Sequence, residues 1–284
     1  MMRNPLILLR SARSLAPIQT KLRRSRHAIL FSLTLGFLIY WGGLSPKQTQ
    51  AASPNTAPSQ LKDEIAQIDA AANHKNIQSV LKFYSQNFTH SDGLTRQTLQ
   101  QSLSSLWQRY PNLKYRTELT DWKSDGKGLI ADTVTYITGV QTVDGREINF
   151  SAMLKSRQHF EGQKITRQDI LSEQVQMTSG AKPPTVKLTL PEQVRPGQEY
   201  SLDAVVQEPL GNDLLLGAAI EEPVRVDGYN KPAPVNLELL TAGGIFKVGR
   251  APSIADSRWI SAVLVRGDGM TIITRRLRIV GKNK

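Results

Sequence analysis

The sequence predicts an α+β layer, with three helices laid on a curved antiparallel sheet, followed by an all-β sandwich. Three observations carry that expectation. Apolar residues recur at helical spacing between Ser59 and Tyr110, and the period then falls to two as far as Met177. Asp125-Gly126, Asp144-Gly145 and Glu161-Gly162 punctuate the second stretch as tight turns. A small, proline-bearing segment, Ser179 to Pro184, then leads into seven short β-like runs with no helical period.

The chain opens with a leader. Seven basic residues between Arg3 and Arg26 precede an apolar run of 17 residues, Ala28 to Leu44, and no acid occurs before Asp63. That is the layout of an export signal. Pro46 breaks any helix, and Thr49-Gln50-Ala51 offers the small residues of a signal-peptidase site, so residues 1–51 read as a cleaved signal peptide. The run falls a little short of the ~20 residues that span a bilayer, and a retained single membrane anchor is the alternative. Either way the basic flank stays behind and the remainder is delivered to a periplasm or thylakoid lumen. The leader also inflates the charge: of a formal +12, its 51 residues carry eight positive charges and no acid, which leaves +4 for the rest. Nucleic acid is therefore not an expected partner.

Residues 52–58 are a polar linker. Leu61, Ile65, Ile68 and Ala72 form the stripe of a first helix, with Ser59 as its N-cap. Asn76 caps a second helix with the stripe Ile77, Val80, Leu81 and Tyr84, and Asn87 to Leu94 is a loop. Leu99, Leu103, Leu106, Trp107 and Tyr110 stripe a third helix that Pro111 ends. Four strands follow, near Leu113–Trp122, Leu129–Gln141, Arg146–Phe160 and Lys164–Met177, joined by short turns and hence antiparallel. Ile130, Val134, Tyr136 and Val140 share one face of the second strand, and Ile148, Phe150, Ala152 and Leu154 share one face of the third. Both faces are expected to lie under the helices.

The run AANHKNIQSVLKFYSQNFTHSDG, leading into the third helix and a long meander, resembles the nuclear transport factor 2-like superfamily, particularly its SnoaL-like branch. Asn76, Tyr84, Phe88 and Asp92-Gly93 match its recurring positions, and the likeness covers about residues 59–180. The resemblance implies a cone-shaped barrel with a pocket between helices and sheet. Tyr84, Phe88, Trp107, Asp132, Tyr136 and Phe150 are the candidate pocket residues. Members that are enzymes keep a few polar groups inside such a cone, where burial tunes a pKa to its task. Asp132 shares its alternation with Tyr136, so an inward pair for proton abstraction and enolate stabilisation is one reading. The leading one is that Asp132 pairs with a basic neighbour or water and Tyr136 is core. His74 and His90 read as loop histidines, and His159 with Lys155, Arg157, Lys164 and Arg167 as a solvated outer face. The chain has no cysteine and its four histidines lack ligand spacing, so no metal, cofactor or thiol chemistry is expected.

Residues 181–284 hold seven runs: Val186–Leu190, Tyr200–Val206, Leu214–Ile220, Val235–Leu240, Ile245–Val248, Trp259–Val265 and Thr271–Val280. That number of strands in about one hundred residues suggests an immunoglobulin-like sandwich. The stretch LPEQVRPGQEYSLDAVV resembles the opening strands of such domains in bacterial extracytoplasmic proteins. Thr274, Arg276 and Arg278 on one side of the last strand read first as an edge protected by positive charge, and otherwise as a contact for anionic lipid or an acidic partner. The chain as a whole is similar to uncharacterised exported cyanobacterial proteins. The expectation is an exported, non-catalytic binding or assembly protein of the cell envelope or photosynthetic membrane. Its partner would be a protein, a small apolar ligand or a second copy, with membrane association through residues 28–44 or the basic last strand. The alternative is a SnoaL-like isomerase, cyclase or lyase using Asp132 and Tyr136.

Overall fold

The computed structural model describes residues 53–281, apart from 127, 144, 231–234 and 268. The expected leader, with its apolar run at 28–44, and the expected cleavage site after Ala51 lie outside the described residues. Within them no helix is long and apolar enough to cross a membrane.

Helix α1 spans Ser59–Asn73 and buries Leu61 and Ile65, as its stripe requires. Pro58 rather than Ser59 occupies the N-cap and no side chain caps the turn, because the proline ring presets the backbone there. In α2, Ile77–Leu81, the Asn76 side chain accepts from the Ser79 N–H at 3.0 Å. In α3, Arg96–Arg109, Thr95 and Thr98 form a reciprocal capping box. The second helix is shorter than its stripe suggests. Tyr84–His90 is a strand, β1, lying parallel to a later strand, where a helix end and a loop were expected. The buried Phe88 points to the reason: the spacing of Tyr84 and Phe88 fits a strand as well as a helix, and pairing to a sheet edge satisfies the backbone in the extended form.

The meander comprises β2 (Lys114–Ser124), β3 (Leu129–Val143), β4 (Arg146–Glu161) and β5 (Lys164–Ser179). Beyond it come β6 (Val186–Thr189), β7 (Gln193–Val194), β8 (Glu199–Val206), β9 (Leu215–Pro223), β10 (Glu238–Leu239), β11 (Gly244–Arg250), β12 (Asp256–Arg266) and β13 (Gly269–Ile279). A cone followed by a separate sandwich is not what they form. The chain is dominated by one largely antiparallel ten-stranded sheet in the order β10-β9-β12-β13-β5-β4-β3-β2, with β1 beside β5 and β7 beside β13. The joint is β5 against β13, in register from Ser179↔Met270 to Gln174↔Arg275. The expected division fails because the free side of β5 is an unpaired strand edge, and β13 satisfies its hydrogen bonds. The same pairing removes the edge-strand reading of β13, which has neighbours on both sides.

Being central, β13 serves two cores. Its Thr271, Ile273, Leu277 and Ile279 are buried toward the second sheet, β11-β8-β6, where the three apolar ones pack with Leu188, Tyr200, Leu202 and Ile245. Its other face continues the face of β5 that carries Val175, which packs beneath the helices with Ile137, Ala152 and Trp107. Helices and small sheet thus cover opposite faces of one large sheet.

The face assigned to β3 is also corrected. Thr135 pairs with Leu154 and Ile137 with Ala152, so the odd-numbered residues of β3 share the helix-covered face with the even-numbered residues of β4. Ile130, Asp132, Val134 and Tyr136 point to the other side. The two-residue connection between Val143 and Arg146 imposes this, because it pairs odd with even throughout.

Candidate functional site

Between the helices and the sheet lies a cavity of about 250 Å³. Ile65 and Ile68 of α1 and Leu99, Leu103 and Leu106 of α3 make an apolar wall. The opposite wall is sheet and carries Thr117, Thr135, Ser156, Gln158 and Gln168 among Ile137, Leu154 and Ile170. His90, Glu173, Tyr229 and Arg276 line it as well, so strands from both halves of the chain contribute.

Two bulges in β5 set this lining. Thr166 is an extra residue between the pairs Phe160↔Ile165 and His159↔Arg167, and Leu171 is an extra residue between Ser156↔Ile170 and Lys155↔Ser172. Each inserted residue reverses which side chains face inward. The first turns Gln168 and Ile170 toward the cavity, and the second does the same for Glu173. The bulged Leu171 carbonyl accepts a hydrogen bond from Arg278 at 3.0 Å.

Arg276 is the centre of the charged cluster, with only 1% of its side chain exposed. Its Nη1 and Nη2 donate to the two oxygens of Asp92, both at 2.8 Å, and its Nε and Nη2 donate to Glu173 Oε2 at 3.1 and 2.7 Å. A guanidinium has the planar fork for this double task. The Tyr229 hydroxyl donates to Asp92 Oδ2 at 2.6 Å, and the Trp259 indole N–H to Glu173 Oε2 at 3.0 Å. Tyr229 and Trp259 stack edge to face. Asp92 is held in place by the turn after β1, where Gly93 adopts φ 83° and its N–H bonds the His90 carbonyl at 2.9 Å.

These neighbours tune the titratable groups. Burial works to raise the Asp92 pKa, but the hydrogen bonds and charge of Arg276 outweigh it and hold the carboxyl below the ordinary range. Burial pushes the His90 pKa down, against the pull of Asp92, so the imidazole is neutral. Its Nδ1 accepts the Asp92 N–H at 3.1 Å, which leaves the proton on Nε2. Burial lifts the Tyr84 and Tyr115 hydroxyls to about 12.

Both Asp92 and His90 make stability fall with acid. His90 has a folded pKa below the ordinary ~6.5, so the unfolded chain takes up a proton first and stability declines as pH drops through that value. Asp92, depressed below ~3.9, contributes stability above that pH and loses it as pH falls through its folded pKa. The urea midpoint is therefore expected to hold from pH 8 to 7, decline below about 6.5 and drop further below about 4. His90→Gln should flatten the upper part only. A wild-type midpoint constant down to pH 5 would contradict this assignment.

Of the residues singled out from sequence, Tyr84 lies in the cavity wall. Phe88 packs edge to face on Tyr84 at 4.9 Å, Trp107 donates to the Tyr115 hydroxyl at 2.8 Å, and Phe150 packs on Tyr110 at 5.1 Å. Those three sit behind the wall. Asp132 is on the far face of β3 in a bidentate pair with Arg157, both bonds 2.7 Å, and Tyr136 lies there under the Arg116 guanidinium. Neither reaches the cavity, so the proton-abstracting pair is not assembled. Asp132→Asn is accordingly expected to cost no more than about 1 kcal/mol, since the pair is partly exposed, and to leave any ligand affinity unchanged by titration. Arg167 is paired with Asp169 in the same outer region, and His74 ends α1. His90 belongs to the site, although read from sequence as a loop residue. Asp92 is marked in the sequence only as part of a turn and Arg276 only as a charged strand residue, while Gln158, Gln168, Glu173 and Tyr229 carry no local signal. Among the described residues no cluster of acidic and histidine side chains is arranged to hold a metal ion.

A family profile described as "Domain of unknown function (DUF8623)" matches residues 181–280. No curated protein sequence matches the chain. Among solved structures, Bd1075 of Bdellovibrio bacteriovorus is similar at 15% identity and a TM-score of 0.30, over 39% of this chain and 38% of that one. This chain therefore spans well under half of Bd1075. An uncharacterised cystatin-fold protein of Novosphingobium aromaticivorans aligns at 16% identity over 40% of this chain and 98% of its own, with a TM-score of 0.28. A loop-truncation variant of IdmH aligns at 11% identity over 38% and 89% of the two chains, with a TM-score of 0.29.

Proposed function

We propose that this chain is an exported, non-catalytic binding protein of the cell envelope or photosynthetic membrane, and that its cavity takes up a small, mostly apolar molecule. The observation that carries the reading is an apolar-walled cavity of about 250 Å³ whose strongest charges are already spent on one another, Arg276 on Asp92 and Glu173. Carboxylates so engaged hold a wall in shape and are poorly placed to abstract protons. The resemblance of residues 59–180 to the nuclear transport factor 2-like superfamily belongs to this proposal, as does delivery by the leader at 1–51. In it, the C-terminal half closes the cavity with Tyr229 and Arg276 and offers its remaining surface to a partner.

The test is uptake of a neutral hydrocarbon. Butylbenzene titrated into the full chain should shift the NMR signals of the methyl groups on Ile68, Leu103 and Leu106. Leu103→Trp, which fills the space, should lower that affinity by at least about 10-fold. Unshifted wild-type signals would remove the binding reading. For export, fractionation of the native host should place a shortened or membrane-held chain outside the cytoplasm, and an intact chain free in the cytosol would count against it.

A further inference from the structure

We infer that the sheet wall of the cavity recognises an amide-like group, a neutral carboxamide, lactam or imide edge carried on an apolar body. This rests on the binding role proposed above and names the chemistry of its ligand. Gln158 on β4 stands directly opposite Gln168 on β5, and Gln168 stands opposite His90 on β1. All three line the cavity, so they form one polar row abreast across three strands. Gln158 is 8% exposed and the His90 side chain 5%. Neither glutamine amide has a hydrogen-bond partner among the described residues, and neither does His90 Nε2.

Gln168 is half-buried, and the polar ends of all three open into the cavity instead of being sealed in the wall, so their donors and acceptors are free for whatever the cavity holds. Each glutamine presents one acceptor oxygen and two donor hydrogens, and His90 presents a donor at Nε2. A ligand amide answers a side-chain amide with two parallel hydrogen bonds, donor to acceptor and acceptor to donor. The remaining charges decide against the neighbouring chemistries. Asp69 and Glu173 line the cavity, Asp92 sits close by on Arg276, the one buried cation, and Arg109 at the rim is exposed. A carboxylate would add to that negative excess. An ammonium group offers only donors, leaving the His90 N–H and both glutamine NH₂ groups unmet. The facing wall of Ile68, Leu103 and Leu106 suits a hydrocarbon body. An engineered cavity of roughly 150 Å³ holds benzene, so one of 250 Å³ has room for a ring with a short amide arm.

Four probes matched in size separate the possibilities by titration into the full chain at pH 7: 3-phenylpropionamide, 3-phenylpropionate, 2-phenylethylammonium and butylbenzene. The amide should bind tightest, by about 10-fold over the carboxylate. Gln158→Leu, and independently Gln168→Leu, should each cut amide affinity by about 10-fold while leaving butylbenzene as tight or tighter. Two positions are used so that a failure of either variant to fold leaves the other informative. Carboxylate or ammonium binding as tightly as the amide, or an amide preference that survives both substitutions, overturns the inference. Butylbenzene binding without an amide preference overturns it while sparing the binding role. Failure of all four probes to bind removes both.

Discussion

Arg276→Met lowers the unfolding free energy by about 3–5 kcal/mol, the range for removing one partner of a buried ion pair. The reasoning is electrostatic. Arg276 supplies both donors to Asp92 and two to Glu173, and with the guanidinium gone two carboxylates are left close together in a region from which solvent is largely excluded. Methionine keeps the apolar stem, so the loss reports charge and hydrogen bonding more than volume. The asymmetry is the stronger check. Replacing all three groups, as Asp92→Asn, Glu173→Gln and Arg276→Met together, should cost less than Arg276→Met alone, because no unpaired charge remains buried. Urea denaturation of the four proteins at pH 7 measures this. A single variant within about 1 kcal/mol of wild type would show that the cluster is solvated and does not hold the halves together.

Residues 53–180 expressed without the C-terminal half are expected to show no cooperative unfolding transition. The truncation leaves the β5 edge from Gln174 to Ser179 without its ladder to β13. It takes Arg276 away from Asp92 and Glu173, and it opens the cavity where Tyr229 and Arg276 line it. The ion cluster alone accounts for about 3–5 kcal/mol, against a total stability of roughly 5–15 kcal/mol for a typical domain. An exposed, unpaired strand edge also invites pairing between copies. Far-ultraviolet dichroism on heating and sedimentation would show a broad, low-amplitude change or aggregation. A monomer melting sharply within a few degrees of the full chain would mean that the two halves fold independently after all.

Much of the secondary structure was legible locally, and the reasons are visible in particular residues. Asn76 and Thr95 mark helix starts by satisfying free N–H groups, and Pro111 follows α3 because it cannot continue a helix. The face of β4 was also legible, since Ala152 and Leu154 line up under the helices. The face of β3 follows from its register with β4 and is the reverse of the one its own alternation suggests. Val143 pairs with Arg146 in the register, so Tyr136 and Ala152 never share a side and Asp132 points outward. The bulges at Thr166 and Leu171 carry no such mark. Each inserts a residue that only the partner strand can count, so the inward turn of Gln168 and Glu173 had no local signal.

The amino-acid pattern alone determined where α2 and α3 start, where the meander begins after α3 and that a basic stretch and an apolar run precede the rest, because propensity, capping and periodicity act over a few residues. Only the folded arrangement decided that one sheet runs through both halves and that Arg276 lies in the cavity wall and not on an edge. Asp92 and Arg276 are separated by 184 positions along the chain and by 2.8 Å in space. Burial of a charge is stable only when its counterion arrives from elsewhere in the fold, and no window along the chain contains both.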